Sequence, residues 1–175
     1  MGLPVKIGTD QKLAFGSDTF ADLDPHIAAT ATGRFMLAFT EPADAADDDI
    51  SLEVSETTGS ATYSLGPSPA IDQDQASVAA LASGNALVVY RSTPDATSDA
   101  DIRAKFFYQD RISGSFGQEI LINVGNTTGN QSRPEASELA FGRIAIVWID
   151  EQSHQIKAAV LDYKTKHGVP TGQAA

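Results

Sequence analysis

Aspartates cluster in two polar segments of the sequence, and their side chains are the strongest candidates for chemistry. Carboxylate oxygens grouped in a flexible loop suit Ca²⁺, which takes about six to eight oxygen ligands. The glycine-containing spacing of an EF-hand loop is absent, and the corresponding third segment keeps only Asp150 and Glu151. The pattern therefore predicts a calcium site, with a solvated acidic turn as the alternative interpretation. The predicted ligands are Asp44, Asp47 and Asp49 in the first segment and Asp95, Asp99 and Asp101 in the second.

Three large aromatic residues, Phe39, Tyr90 and Trp148, occupy matching places in the sequence, each at the end of an apolar run. An aromatic ring carries a large apolar surface on which a sugar ring can stack. The functional interpretation is therefore a set of carbohydrate-binding platforms, which makes glycans candidate partners. The alternative is that the rings pack in the core or fill a slot between repeated units.

Residues that could support catalysis show no motif-like arrangement. The histidines His26, His154 and His167 share no spacing, which argues against a metal cluster or a catalytic triad. The sequence contains no Gly-x-Ser-x-Gly, phosphate-binding loop or dinucleotide-binding fingerprint. Among 23 acidic residues, no pair can be singled out as the two carboxylates of a glycosidase. We therefore predict a protein that is not an enzyme.

The candidate residues are positioned by a unit that occurs three times in the chain. The glycines of the units are 51 and 58 residues apart (84 − 33 and 142 − 84). Repeats of about 40–50 residues are typical of arrays of supersecondary units. The landmarks are a glycine (Gly33, Gly84, Gly142), an aromatic residue six positions later (Phe39, Tyr90, Trp148) and an isoleucine after a polar loop (Ile50, Ile102, Ile156).

The pattern inside each unit predicts strands only. The apolar run that closes on the aromatic residue predicts a second strand buried on both faces. Alternating polar and apolar residues after the polar loop predict a half-buried third strand, and no helical period is found. The predicted strands are 26–32, 34–40, 50–56 and 61–65 in the first unit, 76–82, 85–92, 102–109 and 119–124 in the second, and 135–141, 143–150 and 155–163 in the third.

The third unit lacks a fourth strand in this prediction, because the sequence stops at Ala175. Residues 3–8 (LPVKIG) resemble residues 120–125 (ILINVG), which overlap the predicted fourth strand of the second unit. The N-terminal segment is therefore predicted to complete the last unit and to mediate self-association, which would remove an exposed sheet edge. The alternative is that residues 3–8 lead out of a preceding unit.

Four-stranded units repeated around an axis predict an all-β fold of the β-propeller type. We expect a single repeat domain over residues 1–175, with units at approximately 24–66, 75–125 and 132–175 and with residues 3–8 completing the last one. Propellers contain about four to eight blades, so three units predict half of a six-bladed ring made by a dimer. A β-trefoil or a β-prism is the alternative, because both are built from three four-stranded repeats.

The third unit carries the motif Pro-x-x-Ser-x-Leu-x-x-Gly-Arg-Ile-Ala-Ile-Val-Trp over residues 134–148. With this motif the chain resembles the blade repeats of large bacterial extracellular β-propeller proteins, which often occur alongside calcium-binding RTX segments. The first unit departs most, with Phe39 in place of tryptophan and a shorter tail. The resemblance implies a propeller-like fold in a secreted or cell-surface protein, and it implies no particular activity. The matching residues are Gln131, Pro134, Leu139, Gly142, Trp148, Ile156, Glu119 and Asn123.

Composition narrows the range of partners. The net charge of −11 disfavours binding to nucleic acids and to anionic membrane surfaces. The sequence has no cysteine, which excludes disulfides, thiolate metal sites and cysteine nucleophiles. The first residues have neither the basic region nor the apolar region of a signal peptide, and no apolar run is long enough to span a membrane.

Taken together, the sequence predicts a non-catalytic binding or structural module of an extracellular bacterial protein, located outside the cell or on its surface. A carbohydrate-binding, lectin-like propeller is the first alternative, and a fragment of a propeller glycosidase is the second. The predicted partners are a second copy of the chain and glycans, and the only predicted cofactor is Ca²⁺.

Overall fold

A computed structural model describes residues 23–30, 33–42, 48–56, 59–66, 71–95, 97–109, 113–166 and 169–174. All regular elements in these ranges are strands, which confirms the all-β prediction. The described residues contain no helix that is long and apolar enough to cross a membrane. The strands are β1 (Leu23–Ala29), β2 (Phe35–Pro42), β3 (Asp48–Glu56), β4 (Gly59–Ser64), β5 (Asp72–Ala80), β6 (Ala86–Thr93), β7 (Asp101–Gln109), β8 (Gly114–Leu121), β9 (Gln131–Leu139), β10 (Arg143–Asp150), β11 (Gln155–Lys166) and β12 (Val169–Ala174).

The strands form three antiparallel sheets of four strands each, and within each sheet the strands that follow one another in sequence pair. The first sheet holds β1–β4, the second β5–β8 and the third β9–β12. Pairing is regular through most ladders: β10 and β11 run opposite each other from Arg143 against Asp162 to Asp150 against Gln155. Short consecutive connections favour this antiparallel arrangement, because neighbouring strands can be joined by a tight turn.

The fourth strand of the first sheet lies close to its predicted place, whereas those of the second and third sheets do not. The second sheet ends in Gly114–Leu121 rather than in residues 119–124, so the predicted Ser-Gly turn is part of a strand. Glycine is tolerated there because the rings of Phe107 and Tyr108 lie where side chains at Gly114 and Gly117 would project. In the third sheet, Val169–Ala174 forms a fourth strand that was not predicted. Residues 3–8 lie outside the described residues.

The second sheet lies between the other two, and this position decides which strands are buried on both faces. In β6, Leu87 and Val89 pack towards the third sheet, whereas Val88 and Tyr90 pack towards the first. The burial of β10 instead alternates, with Ile144, Ile146 and Trp148 inside and the residues between them more exposed. The prediction of a doubly buried second strand is therefore correct for the second sheet and wrong for the third.

The repeat glycines form the tight turns between the first and second strands. Gly84 has φ of 89°, and its N–H donates to Leu81 O at 2.9 Å. Gly142 has φ of 71°, and a Cβ there would lie 2.7 Å from Tyr163 O. Positive φ is favourable for glycine and costly for other residues, which explains why glycine marks each unit in the sequence.

Candidate functional site

The first strands of the three sheets, β1, β5 and β9, each contain a bulge at the same position of the repeat. The bulge residues Asp24, Gln75 and Arg133 have left-handed backbones, with φ of 48°, 52° and 51°. Pairing with the neighbouring strand is interrupted at each of these places. Bulges re-aim side chains, and strained non-glycine backbones cluster at functional sites. The three bulges therefore mark the first candidate site.

The residues two positions after the bulges, His26, Ser77 and Glu135, come together although each belongs to a different sheet. Their spacings of 51 and 58 residues (77 − 26 and 135 − 77) equal those of the repeat glycines. Ser77 Oγ donates to Glu135 Oε2 at 3.0 Å, and His26 Nε2 lies 2.9 Å from the same oxygen. These three side chains form what we call the inter-sheet network.

The hydrogen bonds of His26 fix which of its ring nitrogens carries the proton. The N–H of Val78 donates to His26 Nδ1 at 3.2 Å, so Nδ1 is the acceptor of the neutral ring. Nε2 then carries the hydrogen and donates it to Glu135. Ser77 Oγ is 3.4 Å from Nε2, but that nitrogen has no free lone pair with which to accept the serine proton. The imidazole is therefore not arranged as a base for Ser77.

Access to Ser77 is also limited. Its residue surface is 1% exposed, and its Oγ accepts the N–H of Ala136 at 3.3 Å while donating to Glu135. A nucleophile needs an open position about 3 Å away for the reacting atom of a substrate. The contacts around Ser77 instead join the three sheets, as buried polar groups do when they are hydrogen-bonded within the protein.

A cavity of about 420 Å³, which we call the bulge cavity, lies beside the inter-sheet network. Its lining includes Asp24, His26, Gln75, Arg133 and Glu135, so it combines groups of both charge signs. Gln75 Oε1 accepts the N–H of Arg133 at 2.7 Å and thereby fixes two bulges to each other. Such a lining can bind a small polar molecule. Among the described residues, no three His, Cys, Asp or Glu side chains form a group that could hold a metal ion.

The predicted calcium ligands are spread over several local contacts. Asp95 accepts Thr97 N at 2.8 Å, Thr97 Oγ1 at 2.6 Å and Ser98 Oγ at 2.9 Å, and these bonds lower the pKa of Asp95 to about 2. Asp99 accepts the N–H of Gly129 at 2.7 Å.

The other predicted ligands lie elsewhere in the fold. Asp101 Oδ1 accepts the side-chain amide of Asn123 at 2.8 Å, and Asp49 lies in β3. Asp44 and Asp47 are outside the described residues. The second loop is thus held by turn contacts, as the solvated-turn alternative requires, and a calcium site across the two loops stays a prediction.

The three predicted aromatic platforms are buried. Phe39, Tyr90 and Trp148 are 2%, 0% and 6% exposed. Tyr90 OH donates to Glu119 Oε2 at 2.6 Å, and burial together with this carboxylate raises the pKa of Tyr90. Trp148 Nε1 donates to Gln131 Oε1 at 2.9 Å. The rings are therefore covered by protein in this structure, as the alternative interpretation requires, and sugar binding at these residues stays a prediction.

Trp148 nevertheless borders a second cavity, of about 730 Å³, which we call the edge groove. It lies between the end of the second sheet, from Ile122 to Asn126, and residues 157–159 of β11. The pairing of β12 with β11 runs from Leu161 to Lys166 only. Within the described chain, residues 155–160 of β11 therefore have no strand on that side, and the edge groove occupies the place where one would run.

Sequence reasoning missed the inter-sheet network because the three residues differ in type. A histidine, a serine and a glutamate share no chemistry that a pattern search for one residue type would detect. The signal was their common position, seven residues before each repeat glycine. An alignment of the three units on their repeat glycines would have shown that His26, Ser77 and Glu135 are equivalent positions. The bulges that orient them carry no such signal, because Asp24, Gln75 and Arg133 are ordinary strand or turn residues in sequence.

Comparisons with known proteins give information about the fold alone. No family model matches the chain, and no curated protein matches it. One similar solved structure is a crystal structure of an unknown function protein from Dyadobacter fermentans DSM 18053, with 14% sequence identity and a TM-score of 0.58. The match covers 85% of this chain and 40% of that one. A similar arrangement of strands thus occurs within a chain of more than twice this length.

Proposed function

We propose that the chain is a non-catalytic structural or binding module, built of three blade-type units of a β-propeller, in an extracellular bacterial protein. The observation that carries the proposal is the inter-sheet network. Residues at one repeat position, which could have formed a serine, histidine and carboxylate catalytic set, are joined in hydrogen bonds that hold the sheets to one another.

The surroundings of the network support the same proposal. Ser77 is buried, and His26 uses its only free lone pair on the N–H of Val78. Another polar cluster also holds chain segments in place. Asn123 accepts the N–H of Ile102 at 3.0 Å and donates to Asp101 Oδ1 and to Asn126 O, each at 2.8 Å. These bonds hold the segment after β8 against the start of β7.

The extracellular setting rests on the resemblance of residues 134–148 to blade repeats of bacterial extracellular proteins. The absence of cysteine and the net charge of −11 are compatible with that setting. The order of the strands supports propeller units rather than a trefoil or prism, because each sheet is a meander of four consecutive strands.

A catalytic alternative is a propeller glycosidase, which is favoured by the presence of Asp24 and Glu135 in one cavity. Glycosidases use two carboxylates that flank the scissile bond. The test compares the hydrolysis of nitrophenyl glycosides and nitrophenyl acetate by the unmodified chain and by Asp24→Asn, Ser77→Ala and Glu135→Gln. We expect one background rate for all four proteins. A rate that falls about a hundredfold or more in any variant would show a catalytic group and overturn the proposal.

A structural role of the network predicts a loss of stability instead. Ser77→Ala removes the acceptor of the Ala136 N–H and one of the two donors to Glu135 Oε2, so we expect the free energy of unfolding to fall by about 1–3 kcal/mol. Ser115→Ala is the matched control, because Ser115 is exposed on β8 and should change stability by less than about 0.5 kcal/mol. Urea unfolding at neutral pH measures both values. Equal effects of the two substitutions would contradict the structural role.

The lectin alternative is favoured by Trp148 at the border of the edge groove. The chain has one tryptophan, so its fluorescence reports on this groove alone. Titration with a panel of neutral and acidic oligosaccharides should leave the emission unchanged if the module does not bind sugars there. A saturable shift that is lost in Lys157→Ala, a change at another groove residue, would favour the lectin.

A further inference from the structure

The bulge cavity is lined by one short stretch of the repeat, contributed once by each sheet. The equivalent residues are 51 and 58 positions apart (75 − 24 and 133 − 75), as are the repeat glycines. The cavity volume of about 420 Å³ lies within the range of about 300–1,000 Å³ that is usual for small-molecule pockets. The bulge residues and the residues that follow them in the lining are Asp24 and Pro25, Gln75 and Ala76, and Arg133 and Pro134.

The bulges have polar side chains at a backbone conformation that favours glycine. Asp24, Gln75 and Arg133 have φ of 48°, 52° and 51°, a region that is costly for most residues with a side chain. At the other left-handed position of the repeat, the turn between the first and second strands, all three units have glycine. The chain thus uses glycine where the turn alone requires the conformation. Strain that is retained at the bulges indicates a role for their side chains.

The bulge side chains differ in charge although their backbones are alike. Asp24 supplies an anion, Gln75 a neutral amide and Arg133 a cation. Within the described chain, neither Asp24 nor Arg133 forms a salt bridge, with each other or with another side chain. The partly buried Arg91, by contrast, is paired with Asp74, to which its Nε donates at 2.6 Å. The bulge cavity therefore presents one unpaired charge of each sign.

Two further side chains of the lining have unused hydrogen-bonding capacity. Gln75 Oε1 accepts the N–H of Arg133 at 2.7 Å, which fixes the amide and leaves its NH₂ group as a donor. Glu135 Oε2 accepts from Ser77 and from His26, whereas Oε1 has no hydrogen-bond partner among the described residues. The side chain of Glu135 is 59% exposed, so this oxygen is accessible to a ligand. A second donor thus accompanies the guanidinium, and a second acceptor accompanies the carboxylate of the first bulge.

The residues between the polar groups form an apolar and rigid wall. Pro25, Ala76 and Pro134 each follow a bulge residue, and the proline rings fix φ near −65°. Ligand pockets usually combine such apolar walls with a few convergent polar groups. Because the wall is rigid and the inter-sheet network lies beside it, little ordering of the protein would oppose binding.

A ligand that satisfies both unpaired charges must itself carry charges of both signs. A guanidinium binds a carboxylate through two parallel hydrogen bonds, and a carboxylate accepts from an ammonium group. A purely anionic ligand would meet the carboxylates of Asp24 and Glu135, and a purely cationic ligand would leave Arg133 unpaired. Amino acids and short peptides carry one ammonium and one carboxylate group, and therefore match the lining.

We propose that the bulge cavity binds a small zwitterion, an amino acid or a short peptide. Arg133 binds its carboxylate, Asp24 and Glu135 accept from its ammonium group, and the amide of Gln75 donates to a ligand oxygen. This inference rests on the proposed function, because it names the ligand of a module that binds without catalysing a reaction.

The first test is a thermal-shift screen of the full chain with the common amino acids and a set of dipeptides. A ligand at about ten times its dissociation constant should raise the Tm by about 3–6 °C. The N-acetylated and the C-terminally amidated forms of the best binder each lack one charge and should bind about tenfold or more weakly. The relative affinities of free amino acids and dipeptides identify the source of the zwitterion. The absence of any stabilising compound, or a blocked form that binds as tightly as the zwitterion, would overturn the proposal.

The second test locates the site by calorimetric titration of variants with the best binder. Arg133→Gln removes the cation and is compatible with the bulge, because Gln75 has the same conformation at the equivalent position. We expect its affinity to fall about 10–100-fold, with an unchanged circular dichroism spectrum. Asp24→Asn should cause a similar loss and should abolish the preference for the zwitterion over its N-acetylated form. Asp24→Asn also keeps the test decisive if Arg133→Gln does not fold.

Arg143→Gln is the matched control for the second test. Arg143 is exposed at the start of β10, outside the lining of the bulge cavity, so the same loss of charge should change the affinity by less than about twofold. Unchanged affinity in both cavity variants would place binding elsewhere and overturn the proposal. The hydrolysis and stability measurements on Ser77→Ala do not depend on zwitterion binding, so the proposed function and this inference can fail separately.

Discussion

Glu53 is a buried carboxylate that the fold leaves without compensation. Its residue surface is 1% exposed, and neither carboxylate oxygen has a hydrogen-bond partner among the described residues. A buried charge without a partner opposes folding. We therefore expect Glu53→Gln, which keeps the shape and removes the charge, to raise the free energy of unfolding by about 1–3 kcal/mol in urea unfolding at pH 7.

Glu135→Gln provides the control for this prediction, because the effect should have the opposite sign. Glu135 accepts hydrogen bonds from Ser77 and from His26, so an amide at this position would weaken two contacts. A loss of stability in Glu53→Gln as large as that in Glu135→Gln would contradict the interpretation of Glu53 as uncompensated.

Asp150 makes the stability of the third sheet dependent on pH. Its carboxylate accepts Asn126 Nδ2 and Ser153 N, each at 3.0 Å, and these bonds lower its pKa from 3.8 to about 2. Because the folded pKa is the lower one, the stabilisation is present above about pH 4 and is lost as the pH falls towards 2. Asp150→Asn should therefore have a lower Tm than the unmodified chain at pH 6, and the gap should shrink by pH 2.5. A constant gap would assign the effect to packing rather than to the charge.

The sequence analysis predicted most of the strands but missed the inter-sheet network, and the reason is physical. Strand formation depends on alternating apolar residues such as Ile50, Leu52 and Val54, which the sequence displays directly. The contact among His26, Ser77 and Glu135 depends on three bulges and on how the sheets pack. Neither feature changes the hydrophobic pattern, so the geometry of a candidate site was not predictable even though the repeat that positions it was.

The turns between first and second strands are the elements that depend most on one residue type. At Gly142 a side chain would meet both a left-handed backbone and Tyr163 O, 2.7 Å from the Cβ position. At Gly84 the backbone is also left-handed, but no atom lies within 4 Å of that position. Gly84→Ala should cost about 1–2 kcal/mol from the backbone alone, and Gly142→Ala should cost more. Thermal unfolding compares the two variants, and equal losses would show that the strand end relaxes away from the contact.

The fourth strand of the second sheet shows why the boundaries of a strand could not be predicted from sequence alone. Gly114 and Gly117 are typical of a turn, yet they lie within β8 because neighbouring aromatic rings occupy the space beside them. The rings belong to Phe107 and Tyr108 on the adjacent strand β7. The sequence pattern around Gly114 and Gly117 contains no information about these rings, so the boundaries of β8 were predicted several residues too late.

At the scale of the whole molecule, burial follows from the order of the sheets more than from the composition of a strand. The apolar runs of β6 and β10 are nearly equivalent in sequence, yet Val89 is 0% exposed and Val147 is 39% exposed. Among the described strands, the second sheet packs against a sheet on each side. The sequence therefore predicted the capacity of both faces to be buried, and the packing of neighbouring sheets determines which faces are.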